Sequence, residues 1–270
     1  MRRHSAAYCV SATKVWASVC AALVVACVLS VGTAGCRKTR RVQLTISVAA
    51  SLTGTIEPLE ADYQRTHPQV EFRNNFGGSG MLARQIEQGA PVDLFLSAAA
   101  GPVNELVAKG LVGPRQSHIL LRNTLVLIAP RDAHLGSIEQ LASREVRRVA
   151  IGDPASVPAG QYGMQTLAAA GLAESVRDKL VFSKDVRQVL AYVETGNVDA
   201  GFVYATDAAQ SARVRVVATA PEASHDPIVY PIAVLAQSPH ASEAGQFAAF
   251  LASAEAARVF ASRGFTVSSY

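Results

Sequence analysis

From Val42 onward, short runs rich in β-branched residues alternate with stretches of helical periodicity. The runs are VQLTISVA, QVEFRNNF, VDLFLSA, LVLIA, RRVAIGD, LVFSK, DAGFVYA, VRVVATA and YPIAVLA. Between them, apolar residues recur at helical spacing, as at Ile56, Leu59 and Tyr63. This alternation predicts an α/β fold with mixed, mostly parallel sheets that are flanked by helices.

The chain beyond Val42 is longer than one small hydrophobic core needs, so two lobes are expected. The stretch LLRNTLVLIAP reads as extended chain that leaves the first lobe near residue 122. A return is expected between residues 226 and 236. We therefore assign residues 42–122 and 237–270 to lobe 1 and residues 123–236 to lobe 2. A last helical region is predicted over residues 242–263.

Residues 1–35 have the pattern of an export signal, because basic residues precede an uncharged run that ends in GTAGC. The ending Ala34-Gly35-Cys36 resembles the lipobox of bacterial lipoproteins, with Thr33 at the position where Leu is usual. Lipidation of Cys36 is therefore expected. An uncleaved membrane anchor and simple secretion are the alternatives. Residues 36–41 would form a basic stalk near the lipid headgroups.

Cysteine usage and charge exclude several classes of function. All four cysteines lie at or before Cys36, so the rest of the chain has no disulfide, no thiolate metal site and no cysteine nucleophile. Seven of the 25 Lys and Arg residues fall in the first 41 positions, which leaves 18 against 21 Asp and Glu. The folded part is thus weakly acidic, and a nucleic-acid partner is not expected.

Strand-to-helix junctions are the most informative motifs. The first N–H groups of a helix lack intrahelical partners and carry partial positive charge, so they favour bound anions. The junctions with this composition are SVAASLTG, FGGSGML, VPAGQYG and SKDVRQVL. Ser51 and Ser79 lie at the first two, and each could instead be an ordinary helix N-cap. The other two are also compatible with ordinary turn and cap chemistry.

Several longer segments occur together in a characteristic order. These are AASLT, GGSGMLARQIEQGAPVDLFLSA, RNTLVLIAP, IGDPASVPAGQYG and DVRQVLAYVETGNVDAGFVYATDA, followed by a final ASRGF. In sequence and order they resemble periplasmic molybdate-binding proteins, from about Val42 to the end of the chain. One departure is that FGGSGML has glycines where several members of that family carry serines.

The resemblance implies a set of ligand-binding residues. Ser51, Ser79 and Tyr204 would bind molybdate through their hydroxyls, and Ala159 and Val186 would bind it through their backbone N–H groups. The metal would be contacted only through the oxygens of the anion, with no direct protein ligand. No cofactor is implied. Arg187, which follows Val186, is expected to point away from the ligand.

The resemblance also implies an architecture and a role. The fold would be the two-lobed, type II periplasmic-binding-protein fold, with the ligand cleft between the lobes. The protein would be the extracytoplasmic, monomeric component of an ABC importer for molybdate or tungstate. It would deliver the anion to a permease and its ATPase, and would lie in the periplasm or at the outer face of the cytoplasmic membrane. The alternatives are the same fold carrying sulfate, thiosulfate or a small organic acid, and a tethered anion sensor.

Enzymatic function is not supported by any motif. GGSGM does not supply the G-x-S-x-G pattern of hydrolases, because Met81 stands where the last glycine should be. The histidines are scattered and have no metal-ligand spacing. No glycine-rich loop ends in Gly-Lys-Ser or Gly-Lys-Thr, so a phosphate cradle for nucleotides is not expected either.

Overall fold

The computed structural model describes residues 41–268. The signal peptide predicted at residues 1–35, Cys36 and nearly all of the basic stalk lie outside the described residues. The strands are β1 (Val42–Ala49), β2 (Val70–Gly77), β3 (Leu94–Leu96), β4 (Val112–Arg122), β5 (Leu125–Pro130), β6 (Val149–Gly152), β7 (Leu180–Ser183), β8 (Ala200–Tyr204), β9 (Val214–Thr219), β10 (Val229–Leu235) and β11 (Thr266–Val267). All nine predicted runs are confirmed as strands. The sequence analysis missed β11 and most of β4, since β4 contains a Gly-Pro pair and several polar residues.

The helices lie between the strands, as the alternating pattern predicted. They are α1 (Ile56–Thr66), α2 (Ser79–Glu87), α3 (Ala100–Ala108), α4 (Pro158–Ala169), α5 (Ala173–Val176), α6 (Val186–Glu194), α7 (Ala205–Ala208), α8 (Ala241–Leu251) and α9 (Ala254–Ser262). The region predicted over residues 242–263 is therefore two helices. The break occurs at Ser253, whose Oγ accepts a hydrogen bond from the Ala256 N–H at 3.3 Å and so caps α9.

Two mixed sheets form the framework. The first has the strand order β11-β4-β10-β3-β1-β2, and the second has the order β7-β6-β8-β5-β9. Strand β1 is parallel to β2 and β3, and β6 is parallel to β7 and β8. The pairings of β10, β11 and β5 are antiparallel. The sheets are thus mixed, as predicted, but they are not mostly parallel, because the strands next to the crossings run against their neighbours.

The chain crosses between the two sheets twice. It leaves the first sheet after β4 and enters the second at β5, with only Asn123 and Thr124 between them. It returns between the end of β9 and the start of β10, over residues 220–228. Strand β10 therefore belongs to the first sheet, where it pairs with β3 and β4, although the sequence analysis placed residues 229–235 in lobe 2.

The packing of helices on the sheets positions the ends of several strands. A buried hydrophobic cluster includes residues of both sheets, and a second cluster lies under α2 and α3. At the start of α4, a Cβ on Gly160 would overlap the carbonyl oxygen of Gly152 at the end of β6. Only glycine permits this approach, so the N-terminus of α4 lies directly against the end of its strand.

Candidate ligand-binding site

The ends of strands from both sheets meet at a small cavity that is lined mostly by buried residues. It is lined by Ala49, Ala50, Ser51, Gly77, Gly78, Ser79, Ala98, Val157, Pro158, Ala159, Asp185, Val186 and Tyr204. All five residues that the sequence indicated are in this set, two on the side of the first sheet and three on the side of the second. Their assignment as ligand donors stays a prediction, but the structure brings them together.

The cavity has a volume of about 10 Å³, which is room for roughly one water molecule. Pockets that hold drug-sized molecules are usually several hundred Å³ in volume. The site is therefore suited to a compact ion rather than to a nucleotide or a peptide.

Ser51 lies in the single turn of 3₁₀ helix, Ala50–Leu52, that directly follows β1. Its side chain is 1% exposed, and its Oγ is 2.9 Å from the hydroxyl oxygen of Tyr230 on β10. The N-cap of this turn is Ala49, with no side-chain cap bond. Ser51 is therefore not a capping residue, and its hydroxyl is available at the cavity wall.

Ser79 is the first residue of α2 and is 1% exposed. The N-cap of α2 is Gly78, so Ser79 is not the capping residue either. Its Oγ accepts a hydrogen bond from the backbone N–H of Ala98 at 2.9 Å. Because a serine hydroxyl has one proton and can accept as well as donate, this bond leaves the proton of Ser79 free to face the cavity.

Ala159 and Val186 occupy the first turns of α4 and α6. Backbone N–H groups at these positions have no intrahelical acceptor, and they lie at the positive ends of the helix dipoles. The N-cap of α6 is Asp185, whose side chain accepts from the Gln188 N–H at 2.9 Å. The cap therefore satisfies a later amide of the helix and does not use the N–H of Val186.

Tyr204 ends β8 and is 1% exposed. Its hydroxyl has no hydrogen-bond partner among the described residues. Burial raises the pKa of Tyr204 well above its usual value, and the neighbouring Tyr230 adds to the shift, although the two phenols make no hydrogen bond of normal geometry. The phenol therefore keeps its proton and is a buried donor that needs an acceptor.

No Lys or Arg residue lines the cavity. Arg187 is directed elsewhere, as expected: its Nη1 donates to Gln210 Oε1 at 3.0 Å and lies 3.5 Å from Asp207 Oδ1. The described residues also contain no group of three or more His, Cys, Asp or Glu that could hold a metal ion. The hydrogen-bond donors at the cavity are therefore hydroxyl and amide groups rather than cationic side chains, and Asp185 is the charged residue in its lining.

The two sides of the cavity touch at its rim. The Gly80 N–H donates to the Ser156 carbonyl oxygen at 2.9 Å, and Arg84 Nη1 donates to the Ala155 carbonyl oxygen at 3.1 Å. A Cβ on Gly78 would lie 2.8 Å from the Ser156 oxygen, which is too close for any real side chain. This close approach requires glycine at position 78, and the two hydrogen bonds hold the two sides in contact at the rim.

Two polar residues near the site were not found by sequence reasoning. Tyr230 lies within a strand whose residues are all buried, and Asn123 lies in the crossing segment. The Asn123 side chain hydrogen-bonds to the Tyr230 hydroxyl, and that hydroxyl hydrogen-bonds to Ser51. A tyrosine in an apolar strand gives no local signal, since its role depends on a contact with a residue 179 positions earlier.

Fold and site define a class of protein: a two-lobed solute-binding protein whose cleft suits a small anion. A family model described as "Bacterial extracellular solute-binding protein" matches residues 44–266. The chain belongs to this family. In the described residues, no helix is both long and apolar enough to cross a membrane.

Individual relatives agree with this membership. The chain is 44% identical over 229 residues to "Putative ABC transporter substrate-binding lipoprotein YvgL" of Bacillus subtilis, covering 84% of this chain and 87% of YvgL. It is 36% identical over 229 residues to "Molybdate-binding protein ModA" of Haemophilus influenzae, covering 83% and 90%. The structure of the Azotobacter vinelandii periplasmic molybdate-binding protein superposes with a TM-score of 0.75 at 23% identity, over 84% of this chain and 100% of that one. The resemblance and the fold class that the motifs indicated are confirmed.

Asp207 provides a test of the electrostatics beside the cavity. It is fully buried, its Oδ2 accepts from the Tyr204 N–H at 3.4 Å, and burial raises its pKa to about 7 despite the nearby Arg187. In the unfolded chain this carboxyl titrates near pH 4. Between about pH 4 and pH 7 the folded state therefore holds a proton that the unfolded state has released, and stability falls as the pH rises through this window.

We expect Asp207→Asn to remove this component of the pH dependence. In ligand-free protein, the free energy of unfolding of the wild type minus that of Asp207→Asn should fall from about pH 4 to pH 7 and then level off. Denaturant unfolding at several pH values measures it. The exposed Asp178→Asn is the control, and its difference from wild type should lack this fall. A difference for Asp207→Asn that rises with pH would contradict the assignment.

Proposed function

We propose that this protein binds molybdate or tungstate and delivers it to the permease and ATPase of an ABC importer. The observation that carries the proposal is the convergence of three buried hydroxyls and two helix N-termini on one cavity that no cationic side chain lines. The hydroxyls are those of Ser51, Ser79 and Tyr204, and the N-termini contribute the amides of Ala159 and Val186. This role needs no cofactor and assigns no catalytic residue.

Neutral donors suit a tetrahedral dianion for a physical reason. Hydrogen bonds to a charged acceptor are shorter and stronger than those between neutral groups, so several of them can replace the hydration of the anion. Helix N-termini add fixed partial charges at no cost in reorganisation. A buried lysine or arginine would favour anions in general, whereas a donor shell of fixed size selects by the size and protonation state of the anion.

The choice of molybdate over other anions is supported by the relatives. A chain that is 36% identical and aligned over nine-tenths of its length is named for molybdate binding, and the aligned region of this chain contains all five candidate donors. The fold alone does not select the cargo, so sulfate, thiosulfate or a small organic acid remains the alternative. A sensor without a transport role is the second alternative. An adjacent coding region for a permease and an ATPase would favour transport.

We also infer that the protein is tethered to the outer face of the cytoplasmic membrane through a lipidated Cys36. The lipobox-like ending of the leader supports this, and the relative YvgL is named as a substrate-binding lipoprotein. Cys36→Ser should move the protein out of the membrane fraction and remove the lipid mass from the N-terminal peptide. Retention in the membrane with an intact leader would instead support an uncleaved anchor.

Anion selectivity distinguishes the proposal from its closest alternative. In protein shown to be ligand-free, calorimetric titration should give similar affinities for molybdate and tungstate. Sulfate is smaller and leaves some donors unpaired at about 1–3 kcal/mol each, so two such donors would weaken it by a few hundredfold or more. Phosphate carries a proton at neutral pH that finds no acceptor. A sulfate affinity within about tenfold of molybdate would reassign the protein as a sulfate-type carrier.

Removal of single hydroxyls tests the donor set. Ser51→Ala and Ser79→Ala should each weaken molybdate binding by roughly tenfold to a hundredfold, because each lost hydrogen bond is to a charged group and contributes about 1.5–3 kcal/mol. Ser47→Ala is a matched control, since Ser47 is a buried serine of β1 whose side chain does not line the cavity. Equal losses for all three variants, measured by calorimetry, would show that the serines act through the fold rather than on the anion.

A further inference from the structure

A chain of hydrogen bonds leads from the crossing segment to the cavity. Asn123 Nδ2 donates to the Tyr230 hydroxyl oxygen at 3.2 Å and to Thr206 Oγ1 at 2.9 Å. The Tyr230 hydroxyl lies 2.9 Å from Ser51 Oγ. Each bond joins groups from different parts of the fold, since Asn123 lies between the sheets, Thr206 on α7 and Tyr230 on β10.

The direction of this chain follows from its partners. Asn123 Oδ1 accepts the backbone N–H of Thr124 at 2.9 Å, which fixes which end of the amide is the oxygen. The Nδ2 group is donor-only, so the bond to Tyr230 runs from Asn123 to the phenol oxygen. One lone pair of that oxygen is thereby occupied, and the amide cannot take the phenol proton.

The phenol proton of Tyr230 must therefore find another acceptor. Tyr230 is 1% exposed, and burial raises its pKa well above its usual value, so the proton stays on the phenol at neutral pH. The neighbouring Tyr204 hydroxyl makes no hydrogen bond of normal geometry with Tyr230, whereas Ser51 Oγ lies at 2.9 Å from the phenol oxygen. If Ser51 donated instead, a buried phenol proton would be left without a partner, at a cost of about 1–3 kcal/mol. The bond thus runs from Tyr230 to Ser51.

This direction determines what Ser51 can do at the cavity. A serine hydroxyl that already accepts from Tyr230 keeps its single proton, and that proton is free to be donated to an anion. Ser79 is in the same condition, because it accepts from the Ala98 N–H. Both serines therefore keep a proton that can be donated into the cavity.

We propose that Asn123 and Tyr230 form a donor relay that holds Ser51 as a hydrogen-bond donor toward the bound anion. They are positioning residues, since neither lines the cavity. The relay keeps the Ser51 proton directed to the anion, so at this position the site favours an oxygen with a free lone pair over one that carries a proton. The inference rests on the proposed function for its ligand but not for the direction of its hydrogen bonds.

Asn123→Asp is the sharpest test because it is nearly isosteric and reverses the relay. The carboxylate still accepts from the Thr124 N–H, but its second oxygen must accept from Tyr230. Tyr230 then turns its proton away from Ser51, and Ser51 has to donate to Tyr230 and face the anion with a lone pair. The added negative charge also repels the anion through space, so this component has to be measured separately.

A double-mutant cycle with Tyr230→Phe separates the two components. In the Tyr230→Phe background no relay exists, so Asn123→Asp acts there only through its charge. Calorimetry with molybdate should show a loss on Asn123→Asp that is about tenfold or more larger in the wild type than in Tyr230→Phe. Tyr230→Phe alone should lose only a few-fold, because its Ser51 can still donate. If Asn123→Asp caused the same fold-loss of molybdate affinity in both backgrounds, the two substitutions would act independently and the relay would be overturned.

Selectivity gives a readout that a purely structural role would not change. In Asn123→Asp, the Ser51 lone pair can accept the proton of hydrogen phosphate, so the ratio of molybdate to phosphate affinity should fall relative to wild type. In Tyr230→Phe, Ser51 is free either to donate or to accept, so the ratio should fall by less than in Asn123→Asp. Melting temperatures of the ligand-free variants verify that each is folded. An unchanged ratio in a folded Asn123→Asp variant would count against the proposal.

Proton NMR of the ligand-free wild type tests the direction of the bond without any anion. A slowly exchanging hydroxyl proton of Tyr230 should show contacts with the Ser51 β-protons and should disappear in Tyr230→Phe. Assignment of the bridging proton to Ser51 would overturn the relay whatever the protein binds. Absence of molybdate binding by the wild type, together with the expected NMR result, would reject the proposed function and retain the relay.

Discussion

The burial of hydrogen-bond donors that lack acceptors is the constraint on which the rest of this structure depends. The Tyr204 hydroxyl is buried with no partner among the described residues, and it lies beside two helix N-termini and two buried serines. Unpaired buried donors destabilise a fold unless something accepts from them. A bound anion would supply the missing acceptors, and the strands and helices hold these donor groups around one cavity.

Much of this arrangement was predictable from the sequence because it is encoded locally. Alternation of β-branched runs with helical periodicity located the strands, and glycine-serine junctions located the helix N-termini. Ser51, Ser79, Ala159 and Val186 lie at strand-to-helix junctions, which one rule about helix N-termini marked as candidate anion sites, whereas Tyr204 was indicated only by the family resemblance. The family resemblance then selected these residues from other serines and amides at similar junctions.

The features that the sequence did not predict all depend on distant contacts. The sequence analysis placed strand β10 with lobe 2, because a buried strand has the same apolar pattern in either sheet. Its pairing with β3 and β4 is what assigns it to the first sheet. Tyr230 looked like a core residue for the same reason. The direction in which a hydroxyl donates its hydrogen bond is still harder to predict from sequence. It depends on which neighbouring groups are donors, as the Asn123 amide is toward Tyr230.

The rim contact between Gly78, Gly80 and Ser156 has a kinetic consequence. The two sides meet there through backbone atoms, so an ion bound between them would not be released by the movement of a single side chain. Residence time is then governed by how often the lobes separate. A receptor complex in the membrane that pulls the lobes apart would set the rate of unloading, whatever the strength of the individual hydrogen bonds inside.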